Sequence, residues 1–205
     1  MPALPGARQE IAAAAAFAPP DAVRRLAGTA ASESSFRTAL ADARIVHVAA
    51  HAVVPEKDVA GAFLAFGRDG HAAPAPEADG RLTAAEIYDL HTSADLVVLS
   101  ACRSGRGRIT GDGVAGFTRA FISAGARTVV ASLWDAPDEP ARRLMARFYR
   151  ELAAGHDKAE SLRAAQRALL GDLRAGRVKI ATPAGDVVLP PHPALWAGFR
   201  VHGLP

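Results

Sequence analysis

Two short apolar segments, each ending in a reactive side chain, constrain the fold of this chain more than any other feature. Residues 45–51 end at His51, and residues 96–102 end at Cys102. Both segments are short, apolar and rich in β-branched residues, so each is predicted to be a buried parallel strand. Ligands of open α/β sheets bind outside the carboxyl ends of the strands. An imidazole and a thiol delivered to that edge are a candidate base and nucleophile.

Length and composition indicate one soluble domain. The 205 residues are enough to bury a sizeable core, and 50% hydrophobic with 22% charged residues is ordinary for a globular protein. The net charge of +3 is too small and too scattered to indicate a nucleic-acid partner. The apolar stretch at residues 11–19 is too short for a membrane span and lacks a basic flank, so we expect no membrane partner.

The frequencies of basic residues and of cysteine indicate the class of organism and the cellular compartment of the protein. Alanine and arginine are abundant and lysine is scarce, a bias typical of GC-rich genomes, and we expect a bacterial protein. Cys102 is the only cysteine, so no internal disulfide can form and a reducing, cytoplasmic setting is favoured. Arg103, Arg106 and Arg108 follow it, either as a solvated loop or as a positive field that favours the thiolate.

Helices and strands are predicted to alternate along the chain. Helices are predicted at residues 9–17, from 21 or 29 to 41, and at 114–124, 138–154 and 159–170, with strands at residues 44–50, 62–66, 95–101 and 128–133. Residues 178–180 and 187–189 are expected to form a hairpin, and the apolar tail to pack back on the body. This order predicts an α/β fold with a mostly parallel sheet and helices on both faces.

Local signals mark the ends of several elements. Thr83 and Glu86 have the spacing of a capping box at a helix start. Asp138 is predicted to cap the long helix that follows it, and Gly125 to end the helix before it. Residues 105–113 are glycine-rich and are predicted to be a loop.

The remaining histidines and sequence motifs give weaker indications of a functional site. His47 lies four residues before His51 on the same predicted strand, and we interpret it as a buried, hydrogen-bonded side chain. No histidine pair has a metal-ligand spacing with a cysteine or carboxylate, so no metal or other cofactor is expected. A nucleotide-binding module is also disfavoured, because the chain has neither a glycine-rich dinucleotide motif after its first strong strand nor a phosphate-loop lysine.

The residues around Cys102 resemble a known protease signature. Caspases have their cysteine in a Gln-Ala-Cys-X-Gly context with a histidine about 50 residues upstream. The context here is Ser-Ala-Cys-Arg-Ser-Gly. The chain as a whole resembles the CHAT domain, a caspase-like domain found with tetratricopeptide repeats. The matching segments are residues 4–7, 47–51, 96–105, 111–113, 124–126, 132–134, 148–149, 164–166, 192–193 and 196–199.

This resemblance implies a fold and an activity. The fold would be a caspase-like three-layer sandwich, with residues 1–205 as a single domain. Because the chain starts at the first matching segment, it is either a fragment that lacks an N-terminal portion or a compact member that lacks an edge strand. The activity would be that of a cysteine endopeptidase without a cofactor. Its partners would be a protein or peptide substrate and a regulatory repeat-domain protein.

The resemblance also assigns roles to individual residues. Cys102 would be the nucleophile and His51 the base, and the backbone N–H groups of Ala52 and Cys102 would form the oxyanion hole. The family usually has glycine at position 52, and alanine resists a positive φ. The family also commonly has an acidic residue and a threonine at the positions that Arg103 and Ser104 occupy in this chain. A catalytically silent scaffold of the same fold, in which Ala52 spoils the oxyanion hole, is the alternative.

A substrate pocket is expected after the third strong strand. The segment at residues 133–138 is similar to a motif in separases, in which an acidic residue receives a basic side chain. Asp135 would then bind arginine or lysine, unless it is an ordinary loop acid. Trp134 would line the pocket or fill the core. Trp196 and Phe199 are expected in the core or in a subsite wall.

Overall fold

The structure is a computed structural model that describes residues 5–53, 61–68, 78–100, 111–134 and 137–205. The predictions for Cys102, for the arginines that follow it and for Asp135 lie outside the described residues, as does most of the predicted loop at 105–113. Within the described ranges, no helix is both long enough and apolar enough to cross a membrane.

Helices and strands alternate through the described part of the chain, as the sequence predicts. The helices are α1 (Pro5–Ala15), α2 (Glu33–Asp42), α3 (Ala84–Tyr88), α4 (Gly111–Ser123), α5 (Asp138–Ala153), α6 (Lys158–Arg174) and α7 (Pro193–Trp196). The strands are β1 (Ile45–Val48), β2 (His51–Val53), β3 (Phe63–Ala65), β4 (Arg81–Thr83), β5 (Leu96–Leu99), β6 (Thr128–Ser132), β7 (Lys179–Thr182), β8 (Gly185–Val188) and β9 (Phe199–Gly203).

A four-stranded sheet in the order β1-β5-β6-β9 forms the centre of the described residues. β1, β5 and β6 are parallel to one another, and β9 pairs with β6 in the antiparallel direction. Val48 pairs with Leu99, and Leu99 pairs with Ala131, so the three parallel strands end at nearly the same level. The predicted mostly parallel sheet is confirmed, and so are the packed tail and the β7–β8 hairpin.

Helices cover both faces of this sheet, which confirms the predicted three-layer architecture. Successive side chains of a strand point to opposite faces. In β5, Val97 and Leu99 belong to one apolar cluster with side chains of α2, α3 and α4, whereas Leu96 and Val98 belong to a second cluster with side chains of α1, α5 and α6. All four β5 side chains are buried. Burial of each contributes about 1.5–3 kcal/mol, so β5 anchors both layers.

One predicted helix cap is confirmed, a second is wrong although its helix begins at the predicted residue, and one helix begins earlier than predicted. Thr83 and Glu86 form the predicted capping box at α3. The N-cap of α5 is Pro137 and has no side-chain hydrogen bond, so the prediction of an Asp138 cap is wrong. Asp138 instead lies in the first turn, where a carboxylate interacts favourably with the helix dipole. α4 begins at Gly111, so the last three residues of the predicted loop are helical.

The predicted strand that ends at His51 is interrupted. β1 stops at Val48, and His51 begins β2, which pairs with β3 in a separate three-stranded antiparallel sheet of the order β2-β3-β4. The prediction that His47 and His51 share one strand is therefore wrong. His51 nevertheless follows the carboxyl end of β1 by only three residues.

Gly125 is required at the end of α4, and its replacement tests this part of the fold. Its φ of 113° is one that side-chain-bearing residues rarely adopt, and an added Cβ would clash with the carbonyl oxygen of Thr92. We expect Gly125→Ala to lower the free energy of unfolding, measured by urea denaturation, by at least about 2 kcal/mol.

Gly116→Ala is the matched control, because Gly116 lies within the same helix and an added Cβ would meet no atom within 4 Å. This variant is expected to gain roughly 0.5–1 kcal/mol from better helix propensity. Equal stability of the two variants would contradict the assigned backbone conformation at Gly125.

Candidate functional site

The carboxyl ends of β1, β5 and β6 form the edge at which the predicted site residues should meet. The pairing of β1 with β5 continues one residue past the strands, because the Ser100 amide donates to the Val48 carbonyl at 2.9 Å. His51 follows β1 at this edge, and Trp134 follows β6. Because β5 lies between β1 and β6, His51 and Trp134 follow the strands on its two sides.

His51 is held firmly at this edge by the second sheet. In the β2–β3 pairing, His51 lies opposite Ala65 and Ala52 lies opposite Leu64. His51 is only 7% exposed and Ala52 only 8% exposed. Ala52 has extended strand geometry, so its backbone does not need the left-handed region that glycine provides. The sequence found both residues but missed the strand that positions them.

Two serine side chains lie under the edge on adjacent strands. Ser100 follows β5 and Ser132 ends β6, and both are buried, at 3% and 5% exposure. The Ser132 hydroxyl donates to the Trp134 carbonyl at 2.5 Å. The Ser100 hydroxyl has no hydrogen-bond partner among the described residues. Neither serine was singled out in the sequence for its side chain, because a serine at a strand end has no distinctive pattern.

Trp134 connects the end of β6 to the tail of the chain. Its indole Nε1 donates to the Ala194 carbonyl at 2.9 Å, and the Leu133 amide donates to the Gly198 carbonyl at 2.7 Å. A Cβ added to Gly198 would lie 3.1 Å from Nε1 of Trp134, so glycine allows the indole to approach. Trp134 is partly buried, and its contacts bring α7 to the edge. Phe199 lies in the core, at 2% exposure.

A buried polar cluster lies behind β1, on the layer formed by α1 and α5. His47 Nδ1 is 2.8 Å from the Tyr149 hydroxyl. Its Nε2 is 3.2 Å from Oε1 of Glu10, an ion-pair distance at which the N–H is not aligned for a hydrogen bond. Burial, and then the charge of Glu10, raise the pKa of Tyr149 well above its usual value. The predicted buried, hydrogen-bonded His47 is confirmed.

The described acids at the start of α5 are engaged with neighbours. Glu139 accepts hydrogen bonds from Arg142 and Arg143. Burial opposes ionisation of Glu139, but these arginines hold its pKa below the usual value. The Asp138 carboxylate lies against Gly6 of α1, where an added Cβ would be 2.6 Å from Oδ2. Glu139 is therefore paired with arginines, whereas Asp138 is an exposed residue beside α1.

The described residues give no indication of a bound ion. Among them, no three side chains of the types that ligate metals (His, Cys, Asp and Glu) lie close enough together to hold one. The described residues at this edge that can support chemistry are His51, Ala52, the two serines and Trp134. Imidazole can transfer protons, hydroxyls can donate and accept hydrogen bonds, and the indole offers an apolar wall.

Comparison with known proteins gives one family and two relatives. The family model described as CHAT domain matches residues 1–203. Tetratricopeptide repeat protein 28 of Mus musculus is 34% identical over 122 residues, and that of Homo sapiens is 37% identical over 122 residues. Each match covers 60% of this chain and 4% of the relative, so the chain spans a small part of these proteins. Both relatives are mammalian and give no support to the expected bacterial source.

The Tyr149 hydroxyl is expected to contribute to stability through His47. Tyr149→Phe removes one partner of a buried contact and leaves His47 Nδ1 unpaired, which should lower the free energy of unfolding by about 1–2 kcal/mol. Tyr88→Phe is the control, because Tyr88 is 46% exposed, and it should change stability by less than about 0.5 kcal/mol. Urea denaturation measures both, and equal effects of the two changes would argue against the buried contact.

Proposed function

The chain belongs to the CHAT domain family, whose fold is caspase-like, and on that premise we propose that it is a cysteine endopeptidase. Cys102 is the nucleophile and His51 the base. The parallel pairing of β1 with β5 is the observation that supports this most. Val48 and Leu99 are paired at the ends of these strands, and His51 and Cys102 each follow their strand end by three residues.

Chain connectivity limits how far apart the two groups can lie. Ser100 is the last described residue of its segment, and its amide is bonded to Val48 at the end of β1. Cys102 is two residues further along, within about 7 Å of chain length. His51 follows Val48 by three residues and is fixed by β3. This proximity supports a dyad at the carboxyl edge of the sheet.

The proposed reaction splits peptide hydrolysis into two steps. The Cys102 proton passes to His51, and the sulfur attacks the carbonyl carbon of the scissile bond. The imidazolium then donates its proton to the departing amine, which leaves an acyl-enzyme. Water, deprotonated by His51, attacks the thioester and releases the carboxylic acid together with the thiol. The pKa of a free thiol is about 8.5, so activation of Cys102 at neutral pH requires the nearby imidazole.

The negative oxygen that forms in each step needs hydrogen-bond donors. The backbone N–H groups of Ala52 and Cys102 are proposed for this role, and loss of one such donor costs roughly 3–4 kcal/mol in the transition state. The extended backbone of Ala52 in β2 is compatible with alanine. A silent scaffold is the alternative if the Ala52 N–H is directed elsewhere.

Asp135 is proposed to select a basic side chain next to the scissile bond. It follows Trp134, whose indole is anchored to the tail and can serve as a wall of the pocket. Glu139, four residues further along the chain, is already paired with two arginines. Asp135 is therefore a better candidate than Glu139 to receive lysine or arginine at this position.

A repeat-domain protein is proposed as a regulatory partner. The relatives are named for their tetratricopeptide repeats, and the matching region is 4% of their length. The repeats of such a partner would bind this domain, because a folded repeat surface presents an extended concave face to its partner. The cytoplasmic setting expected from the single cysteine is part of this proposal.

The dyad can be tested without knowledge of the natural substrate, because Cys102 is the only cysteine. Iodoacetamide labelling at pH 7, followed by mass spectrometry, reports on that thiol alone. We expect the wild type to react far faster than free cysteine, and His51→Ala to lose most of this excess. His156→Ala is the control, because His156 is an exposed residue just after α5 and should leave the rate unchanged.

Peptide cleavage tests the reaction itself. A mixed peptide library incubated with the wild type should show new termini after basic residues, and Cys102→Ala should abolish them. His51→Ala is expected to slow cleavage about 10²–10⁴-fold, as is usual for loss of a general base. Equal, empty digests for the wild type and Cys102→Ala would favour the silent scaffold.

Asp135→Asn should remove the preference for basic residues, because the amide keeps the size of the side chain but not its charge. Cleavage after lysine and arginine should fall at least about tenfold, as expected for the loss of a charge-assisted hydrogen bond. Asp186→Asn, at an exposed position in the β7–β8 hairpin, should have no effect. Unchanged specificity in Asp135→Asn would reject Asp135 as the pocket acid.

A further inference from the structure

The β7–β8 hairpin is separate from the two larger sheets. In the described part of the chain, β7 and β8 pair only with each other. All four β8 residues are exposed, and Val187 and Val188 are 47% and 50% exposed. A hairpin of two strands is only marginally stable in water unless it gains a third strand or packs on other structure. The exposed valines therefore mark β8 as a strand that a further strand would stabilise.

The hydrogen-bond pattern of the hairpin shows which backbone groups of β8 are available. The Leu189 amide donates to the Val178 carbonyl at 2.9 Å. Bonded and non-bonded residue pairs alternate along an antiparallel ladder, so Val187 is bonded across to β7 and its two neighbours are not. The N–H and C=O groups of Asp186 and Val188 therefore point away from β7, along the outer edge of the hairpin.

The two edges of the hairpin differ in how they are protected against pairing. Natural sheets commonly carry lysine on an exposed edge, because its charge discourages pairing with other chains. β7 carries Lys179, whereas β8 carries two valines and one acid, Asp186. Pro183 precedes β8 and Pro190 follows it, and proline has no N–H to donate to a ladder. β8 is therefore the edge that is open to an added strand, over a short stretch between these prolines.

We propose that β8 binds an extended segment of a partner protein as the third strand of this sheet. The added strand would form main-chain hydrogen bonds with Asp186 and Val188 and would cover the exposed valines, and these bonds provide the affinity in strand addition. Asp186 has no ion-pair partner among the described residues. A lysine or arginine directly opposite would pair with its charge. The partner segment is therefore apolar, with a basic residue in register with Asp186.

A second copy of this chain fits the β8 edge less well. Two copies related by two-fold symmetry would pair their β8 strands in the antiparallel direction, with residues of the same face opposite each other. The two registers that overlap most of β8 then set Asp186 opposite Asp186 or opposite Val188 of the other copy. The first register opposes like charges, and the second sets a carboxylate against an apolar side chain. Neither supplies the cation that a different protein can supply.

A peptide selection tests this surface without knowledge of the natural partner. A displayed library of random peptides is first depleted on Val188→Pro, which removes an outward N–H but no bond of the β7–β8 ladder. The remaining peptides are then selected on the wild type. We expect enriched peptides to alternate apolar side chains and to share a lysine or arginine. In hydrogen exchange, a bound peptide should slow the Asp186 and Val188 amides and leave the Lys179 and Ala181 amides unchanged.

Two variants measure what an enriched peptide recognises. Asp186→Lys should weaken its binding at least about threefold, because an attractive pair across the strands becomes a repulsive one. A peptide with glutamate in place of its basic residue should recover binding to this variant. Ala181→Pro is the matched control, because it removes an outward N–H from the β7 edge instead, and it should leave the affinity unchanged. Binding at β8 does not depend on the proposed protease activity, so Cys102→Ala should bind the peptide as the wild type does.

The other outcomes overturn the assignment of β8. A selection without enriched peptides, or peptides that protect the amides of β7 instead, would reject β8 as the binding edge. Equal affinity of the wild type and Asp186→Lys would reject the basic residue opposite Asp186. Loss of binding in Ala181→Pro would attribute the effect to disruption of the whole hairpin. A wild type that sediments as a dimer while Val188→Pro sediments as a monomer would make the occupant a second copy.

Discussion

The pairing of β5 with β1 on one side and β6 on the other is the constraint on which the rest of the molecule depends. The four β5 side chains are buried alternately in the two layers. A slip of one residue would move every apolar side chain to the wrong face, so the register is strongly specified. The ends of three strands are therefore held at one level, and the residues that follow them are set out along a single edge. The alignment of the strand ends at this edge thus follows from the packing of the core.

Secondary supports hold the residues at this edge more tightly than the central sheet alone would. β3 fixes His51 and Ala52 from one side, and the tail fixes Trp134 from the other through Ala194 and Gly198. Sites held by strands and by hydrogen bonds keep their geometry better than sites carried by loops alone. The chain applies this rigid support at both flanks of β5.

The sequence predicts the parts of the fold that depend on local patterns. The apolar run of β5, the capping box at Thr83 and the helix end at Gly125 each follow from residues close in the chain. The break after Val48 could not be predicted, because the apolar run continues into His51 and the pairing of β2 with β3 is a distant contact. The bond between His47 and Tyr149 joins residues 102 positions apart, and no local pattern encodes it. Likewise, nothing in a lone serine reveals that the Ser100 hydroxyl is buried without a partner among the described residues.

The cluster of Glu10, His47 and Tyr149 has a consequence for the history of the sequence. Its three members come from a helix, a strand and a second helix, and each is tolerated in the interior only beside the others. A lineage that loses one member should replace the remaining two with apolar side chains within a few substitutions. Among homologous chains, we expect the residues at these three positions to be either all retained or all replaced.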